Sequence, residues 1–248
     1  MRGAMLANAT ADAVADVEFN VAPRLQPMES AVKLRRARPE DKRAAGLLLR
    51  EALTPDLADA VFGLGGEGAA NSYLERLFAR TGTLWSYDLV TLAEVDGQVA
   101  GMVSHAPWTE LARRYRATML AYLRVYGPWR FFRLLPRLRM LIRASPAVPA
   151  DHWFIPYLAV LPKHRGNGVA KALLARVHQS ADRQSSACSL FVLAENRAAR
   201  EFYKQAGYVD STWEESSRLK DLAGTRGRLR MDRRQTGNSK TVGESAQS

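Results

Sequence analysis

The sequence is poor in cysteine and has no long apolar run. Cys188 is the one cysteine in 248 residues, so an intramolecular disulfide is impossible and a reducing compartment is expected. No uninterrupted apolar stretch approaches the roughly 18 residues of a membrane span. Near the N-terminus, Asp12, Asp16 and Glu18 interrupt what would otherwise be the apolar core of a secretory signal. These absences predict a soluble, cytoplasmic protein.

Two nucleotide-binding patterns are absent or incomplete. The sequence contains no Gly-Lys-Ser or Gly-Lys-Thr, which argues against a nucleotide-hydrolysing P-loop. Gly63, Gly65 and Gly68 match G-x-G-x-x-G, but a dinucleotide fold requires a buried strand immediately before the first glycine. The preceding segment, PDLADAVF, carries two acids and several alanines and apolar residues at helical spacing. The glycines therefore predict a loop rather than a dinucleotide site.

Acidic residues are scarce in one segment, where positive charge accumulates. The chain has a formal net charge of +11. Residues 110–150 hold nine arginines and one acid, Glu110, which gives this segment a net charge of +8. Such a balance indicates either an anionic partner or a solvated basic surface.

The length and patterning favour one domain. We expect it to span residues 31–234, with disordered tails at 1–28 and 235–248, where small and polar residues show no apolar period. The patterns predict the order β-α-α-β-β, then a helical segment, then β-α-β-α-β-β. Asp96-Gly97 predicts a two-residue antiparallel hairpin, and STWEESSRLK with GRLRMDRR predicts a hairpin that closes the sheet.

A glycine-rich turn lies between an apolar strand and a helix in LAVLPKHRGNGVAKALL, residues 158–174. The first turn of a helix offers free amide groups and the positive end of the helix dipole, so this place attracts an anion. Gly166 and Gly168 allow close approach of the backbone, and Arg165 can add a charge-assisted hydrogen bond to phosphate. The segment is therefore a candidate phosphate site, with a simple turn as the alternative.

The same stretch resembles the GNAT superfamily of acyl-CoA-dependent N-acetyltransferases. An apolar strand is followed by the family pattern Arg/Gln-x-x-Gly-x-Gly/Ala through Arg165, Gly168 and Ala170. A second segment, FVLAENRAAREFYKQAGYV, is similar to the family's later strand, asparagine, helix with Phe-Tyr and Gly-aromatic ending. Together the two motifs cover residues 153–209, and the order of elements extends the likeness weakly to about residue 31.

The resemblance implies an α/β fold of GNAT type, with a mixed, mostly antiparallel central sheet flanked by helices and a helical basic insertion between the third and fourth strands. It also implies acetyl-CoA as co-substrate. The turn would hold the pyrophosphate, the preceding strand would line the pantetheine arm, and an amide of that strand would stabilise the oxyanion. The implied coenzyme-binding residues are Leu158, Ala159, Val160, Arg165, Gly166, Asn167, Gly168, Val169, Ala170 and Asn196.

Three further residues have two interpretations each. By the resemblance, Tyr203 would be the catalytic acid that returns a proton to the thiolate, but beside Phe202 it also fits a core position. Asn196 would contact the coenzyme, cap the following helix, or do both. Cys188 lies in an apolar strand and is expected to be a buried hydrophobic residue rather than a nucleophile.

No general base stands out. Some relatives carry a glutamate on the strand before the glycine-rich turn, but Pro156 and Tyr157 occupy the corresponding positions here. His105, His152 and Glu94 are candidates that would act through a water molecule, and each is also credible as a surface or packing residue. Direct transfer requires only that the bound amine be neutral, so an ordered water chain would suffice.

Residues 110–150 predict two helices split at Gly127-Pro128, with Pro136 kinking the second or starting a late segment. Aromatic and aliphatic residues form stripes and arginines flank them. One interpretation is a helical cap that shapes the acceptor pocket. The others are docking on an anionic membrane or nucleic acid and self-association, for example as a homodimer.

Taken together, the sequence predicts an N-acetyltransferase that moves acetyl from acetyl-CoA to a primary amine by direct attack, without a metal. The acceptor is open, with a small molecule favoured over a peptide N-terminus or a lysine side chain. The competing hypothesis is a GNAT-like module that senses acyl-CoA or binds an anionic surface without turnover.

Overall fold

The computed structural model describes residues 32–66 and 68–234. The predicted tails, residues 1–28 and 235–248, lie outside the described residues, so that prediction and the domain limits remain predictions. Within the described part of the chain, no helix is both long enough and apolar enough to cross a membrane.

Seven strands and eight α-helices follow one another in the described residues. The strands are β1 (Lys33–Arg36), β2 (Val90–Val95), β3 (Gln98–Pro107), β4 (Trp153–Val160), β5 (Cys188–Leu193), β6 (Val209–Glu215) and β7 (Gly227–Arg233). The helices are α1 (Lys42–Leu53), α2 (Pro55–Phe62), α3 (Ala69–Phe78), α4 (Trp108–Arg113), α5 (Tyr115–Arg143), α6 (Val169–Asp182), α7 (Arg197–Gln205) and α8 (Ser217–Ala223).

The strands form one sheet in the order β1-β2-β3-β4-β5-β7-β6. Every pair of neighbours is antiparallel except β4 and β5, which run parallel. The predicted mixed, mostly antiparallel sheet flanked by helices is thus confirmed. At the β2–β3 turn, Asp96 and Gly97 have φ values of +51° and +75°, as the predicted two-residue hairpin requires.

The sheet carries a hydrophobic core on each face. One core contains side chains of α1, α2, α3 and α5 packed on residues such as Leu92 and Met102. The other contains side chains of α6 together with Tyr203 of α7, packed on residues such as Val103 and Ile155. The apolar spacing of α6 explains its position, because Val169, Leu173, Leu174 and Val177 are all buried on its sheet-facing side.

The glycine loop agrees with the sequence prediction, whereas the closing hairpin does not. The loop containing Gly63 and Gly65 follows helix α2 rather than a strand, which agrees with its interpretation as a loop. The closing hairpin is interrupted: β6 ends at Glu215, and α8 lies between β6 and β7. The hydroxyl of Ser216 accepts a hydrogen bond from the Leu219 amide, so this serine caps a helix that the strand prediction missed.

The segment between β3 and β4 is helical, with α5 as its main element. Gly127 breaks the helical geometry of α5 with φ +72°, at the point where the sequence predicts a split. On the second half of α5, Leu134, Leu138 and Leu141 are buried at helical spacing. Its outer surface exposes Trp129 and Phe132 among arginines.

Candidate active site

The two parallel strands β4 and β5 separate in the middle of the sheet. They pair only at three positions, from Trp153 opposite Cys188 to Ile155 opposite Leu190. Pairing stops at Pro156, which has no N–H to donate to a ladder. On the other side of β4, the register with β3 shifts between Ser104 and Ala106, so that β4 carries one extra residue, a bulge. The proline and the bulge leave an opening between β4 and β5.

A cavity of about 810 Å³ passes through this opening. On one side it is lined by the main chain of the glycine-rich turn, which we call the glycine cradle (residues 165–170). On the other side it is lined by an aromatic chamber, whose walls are Phe62, Trp85, Tyr122, Leu138, Leu141, Tyr157 and Arg228. Because residues from both hydrophobic cores line the same cavity, the opening connects the two faces of the sheet.

The glycine cradle has the geometry of an anion site. Gly166 and Gly168 have φ values of +82° and +73°, a region that favours glycine, and a Cβ on either would point into open space. The amides of Gly166, Asn167 and Gly168 donate to no acceptor among the described residues, and α6 adds its first-turn amides. The Arg165 amide is not free for an anion, because it donates to the Pro162 carbonyl at 3.2 Å.

The Arg165 side chain is held at the mouth of the cradle. Its Nη2 lies 2.9 Å from a carboxylate oxygen of Glu51, and its Nε donates to the Val160 carbonyl at 3.2 Å. The side chain is 60% exposed, so the guanidinium can also reach a ligand. Glu51, at the end of α1, therefore orients the arginine that the sequence singled out.

Most of the predicted coenzyme-binding residues line the cavity. Asn167 is the exception, although its amide lies in the cradle. Asn196 lines the cavity and also caps α7, because its Oδ1 accepts a hydrogen bond of 3.0 Å from the Ala199 amide. Both interpretations of this residue are therefore compatible with its position.

Tyr203 lines the cavity on the face of the sheet that carries α6 and α7. Its ring contacts Phe202 and Tyr208, and its hydroxyl has no hydrogen-bond partner among the described residues. Burial raises the pKa of Tyr203, so that the phenol keeps its proton at neutral and moderately alkaline pH. A protonated phenol facing the cavity can donate a proton there.

The three candidate bases lie outside the cavity. His105 accepts a hydrogen bond of 3.0 Å from Trp153 Nε1, and burial lowers its pKa to about 4. His152 Nδ1 lies 2.5 Å from the Ser189 hydroxyl. Glu94, on β2, is paired at 2.7 Å with Arg35 of the edge strand β1. None of these three residues lines the cavity.

Cys188 is buried in β5, and burial raises the pKa of its thiol to about 11. A thiol with this pKa holds its proton at neutral pH and is a poor nucleophile. Its position agrees with the prediction of a buried hydrophobic residue.

The aromatic chamber has a rigid, hydrogen-bonded wall. Trp85 stacks on Tyr157 with ring centroids 4.7 Å apart, and Phe62 meets Trp85 edge-on at 5.3 Å. The indole N–H of Trp85 donates to the Tyr122 hydroxyl at 2.7 Å. Helix α5 supplies Tyr122, Leu138 and Leu141 to this wall, so the basic segment forms part of the cavity.

Sequence reasoning missed several lining residues. Glu51, His164, Lys171 and Arg228 all line the cavity, and His164 Nε2 is buried without a hydrogen-bond partner among the described residues. Lys171 and His164 lie in the same segment as the glycine-rich turn, so that motif could have pointed to them. Arg228 offered no comparable signal, because it lies in a strand of alternating arginines and apolar residues.

Comparison with known proteins agrees with this geometry. A sequence profile of the Acetyltransferase (GNAT) family matches residues 66–208. No curated protein matches the sequence significantly. Among solved structures, an N-acetyltransferase from Staphylococcus aureus Mu50 is similar with a TM-score of 0.63 and 19% identity, over 81% of this chain and 99% of that one.

A second solved structure has the same fold. It is described as histone acetyltransferase HPA2 and related acetyltransferase from Corynebacterium glutamicum ATCC 13032, with a TM-score of 0.52 and 16% identity, over 84% of this chain and 99% of that one. At such low identity the two structures establish the fold alone. The family profile covers more than half of the chain and therefore establishes the family as well. This chain belongs to the GNAT family of acetyltransferases, whose fold serves acyl transfer from acetyl-CoA.

Proposed function

We propose that this protein is an N-acetyltransferase that transfers the acetyl group of acetyl-CoA to the primary amine of a small molecule, by direct attack in a ternary complex. The observation that carries the proposal is the continuity of the cavity, which joins the glycine cradle to the aromatic chamber through the opening between β4 and β5. A thioester and an amine bound on opposite sides of the sheet would meet in that opening.

The glycine cradle fits the pyrophosphate of the co-substrate, which supplies the acetyl thioester. The free amides of residues 166–168 and the first turn of α6 would donate to phosphate oxygens, and Arg165 would add positive charge. His164 also lines the cavity beside the cradle, and its Nε2 is buried without a hydrogen-bond partner among the described residues.

The unpaired edge of β4 fits the pantetheine arm. Leu158, Ala159 and Val160 line the cavity beyond the last β4–β5 pair, so their outward backbone groups can bind an extended ligand as one more strand. A β4 amide aimed at the acetyl oxygen would stabilise the oxyanion of the tetrahedral intermediate. Loss of one such donor typically costs about 3 to 4 kcal/mol of transition-state stabilisation.

One side chain would take part in the proton transfers, and it would act on the leaving thiolate of coenzyme A. As the amine nitrogen bonds to the acetyl carbon and the C–S bond breaks, Tyr203 would give its proton to the leaving thiolate. Glu51 is the one carboxylate among the described residues that line the cavity, and it is paired with Arg165 at the glycine cradle, so no free carboxylate serves the attacking amine. The amine would therefore enter neutral and lose its extra proton to water.

The shape of the cavity supports a small acceptor. Its volume of about 810 Å³ must hold both the thioester arm and the acceptor, and small-molecule pockets typically measure about 300 to 1,000 Å³. Helices α2 and α5 cover the aromatic chamber. A covered chamber can admit a small amine more readily than an amine on the surface of a folded protein.

The test is a thiol-release assay with acetyl-CoA and a panel of primary amines, together with calorimetry of acetyl-CoA binding. We expect calorimetry to detect binding and at least one amine to release free thiol at a rate well above hydrolysis. Binding without release for any amine would favour the alternative, a non-catalytic acyl-CoA-sensing module. Absence of binding would contradict both.

A further inference from the structure

We infer that the acceptor is an amine with an apolar body and a carboxylate, and that Arg228 in the aromatic chamber binds this carboxylate. The inference rests on the proposed function and narrows it from primary amines in general to one class. The observation behind the inference is that several chamber side chains have hydrogen-bond donors for which the described residues provide no acceptor.

Arg228 lies on β7 and reaches the cavity from the face of the sheet that carries α5. One Nη1 hydrogen bond of 3.0 Å connects it to the Ser145 hydroxyl, which itself donates to the Leu141 carbonyl at 2.7 Å. Ser145 thus fixes one edge of the guanidinium. The remaining guanidinium donors have no hydrogen-bond partner among the described residues, and the side chain lines the cavity.

No carboxylate of the described residues neutralises Arg228. The ion pairs found in residues 32–66 and 68–234 do not include it. Its cross-strand neighbour Glu214 lies opposite it in the β6–β7 register, yet the two make no ion pair. A partly buried arginine without a counter-ion is costly, because burial disfavours its charged form. An anionic ligand would remove that cost.

Two phenols add donors to the same chamber. Tyr122 already accepts the Trp85 N–H, so its own proton remains for another acceptor. The Tyr157 hydroxyl has no hydrogen-bond partner among the described residues, and it interacts electrostatically with Arg228. Burial raises the pKa of both phenols, so both keep their protons. A carboxylate, which only accepts hydrogen bonds, complements such a group of donors.

The rest of the chamber selects the body of the acceptor. Phe62, Trp85, Leu138 and Leu141 present apolar surface, which favours an aromatic or branched aliphatic group. The one lining carboxylate among the described residues, Glu51, is already paired with Arg165 at 2.9 Å. Polyamines and other multiply cationic amines would therefore find no free anion in the chamber and would meet Arg228 instead.

The experiment compares amines that differ only in a carboxylate. The pairs are L-phenylalanine with 2-phenylethylamine, L-leucine with 3-methylbutylamine, and 6-aminohexanoate with pentylamine, with spermidine as a cationic amine. Thiol release gives kcat/KM for each. We expect the carboxylate-bearing member of at least one pair to exceed its partner at least tenfold, and spermidine to be inactive. Equal values in every pair, or a preference for spermidine, would overturn the inference.

Variants assign the preference to Arg228. In Arg228→Met the ratio within the preferred pair should fall at least tenfold, whereas acetyl-CoA affinity should stay within twofold of wild type. Arg228→Lys, which keeps the charge, should retain part of the ratio. Arg139→Met, which removes a charge from the exposed surface of α5, is the control and should change nothing. An unchanged ratio in a folded Arg228→Met protein would assign the carboxylate elsewhere and contradict the inference.

A binding measurement separates this inference from the proposed function. Calorimetry with each amine pair in the presence of coenzyme A reports occupancy of the chamber even if no amine is acetylated. Tighter binding of the carboxylate member without turnover would support Arg228 as an anion site and contradict the proposed catalysis. Turnover with equal binding and equal rates within every pair would support the proposed catalysis and contradict Arg228 as the carboxylate site.

Discussion

The glycine cradle and the aromatic chamber belong to one cavity but are built differently. The cradle consists of main-chain groups from a few consecutive residues between β4 and α6, with a conformation set by two glycines. The chamber consists of side chains from α2, the loop before β2, α5, β4 and β7, which are far apart in the sequence. Backbone amides can serve every acyl-CoA enzyme of this fold alike, whereas side chains can change with the acceptor. The proposed phosphate-binding half of the cavity is thus encoded within a few residues, whereas the proposed acceptor half is assembled by the fold.

The strongest way to break the cradle is Gly168→Asp. A side chain at φ +73° costs about 1–2 kcal/mol, and a carboxylate beside the pyrophosphate costs several kcal/mol more. We expect acetyl-CoA affinity to fall about 1,000-fold or more in calorimetry. Gly82→Asp is the matched control, because Gly82 has φ +71° in an exposed turn away from the cavity. Similar losses in both variants would point to backbone strain rather than to phosphate binding.

Where the two halves meet, Tyr203→Phe should lower kcat about 100-fold, the size of effect expected for a general acid. Acetyl-CoA affinity should not change, since the phenol is proposed to act on the departing thiolate. The raised pKa of Tyr203 also predicts no loss of kcat from its deprotonation between pH 7 and pH 9. Tyr208→Phe, in the neighbouring ring, is the control. An unaltered kcat in Tyr203→Phe would make this tyrosine a packing residue.

A milder change to the cradle is Arg165→Gln, which removes a charge and leaves the amides in place. Loss of one charge-assisted hydrogen bond, about 1.5 kcal/mol, should weaken acetyl-CoA binding about tenfold. The effect should shrink at high salt. Arg183→Gln, an exposed arginine just after the opposite end of α6, serves as the control. If both variants weaken binding equally, general surface charge and not the cradle attracts the coenzyme.

The smallest expected effect is a loss of stability from a change in the chamber alone. Tyr122→Phe leaves the Trp85 N–H without its acceptor, so the free energy of unfolding should fall by about 1 kcal/mol. Chemical denaturation measures this loss, and Tyr87→Phe, outside the cavity, is the comparison. Acetyl-CoA affinity should stay at the wild-type value. A large drop in that affinity would show that the two halves of the cavity are not independent.

The sequence predicted the local features of the fold well. A glycine-rich turn, a two-residue hairpin and an amphipathic helix are each specified within a few residues, and all three are present at Gly168, Asp96-Gly97 and α6. The helix α8 was missed because STWEESSRLK continues a strand-like pattern, and only the Ser216 cap marks the change.

The chamber could not be predicted in the same way. Arg228 and Arg230 alternate with the buried Leu229 and Met231, which is the pattern of a strand with one solvated face. That face is covered in the folded protein by the segment that follows α5, where the Ser145 hydroxyl accepts a hydrogen bond from Arg228. A long-range contact of this kind leaves no local signal. The positions of His105, His152 and Glu94 outside the cavity lining likewise depend on the whole sheet and leave no local signal.

The extra residue in β4 also decides which way its side chains point. Trp153 and Ile155 face the core of α6, and simple alternation would send residue 157 the same way. After the bulge the phase is reversed: Tyr157 packs with the opposite core and Leu158 faces α6. Deleting one residue here would therefore exchange the inward and outward sets along the rest of the strand. The single extra residue thus decides which β4 side chains lie on each face of the sheet beside the opening.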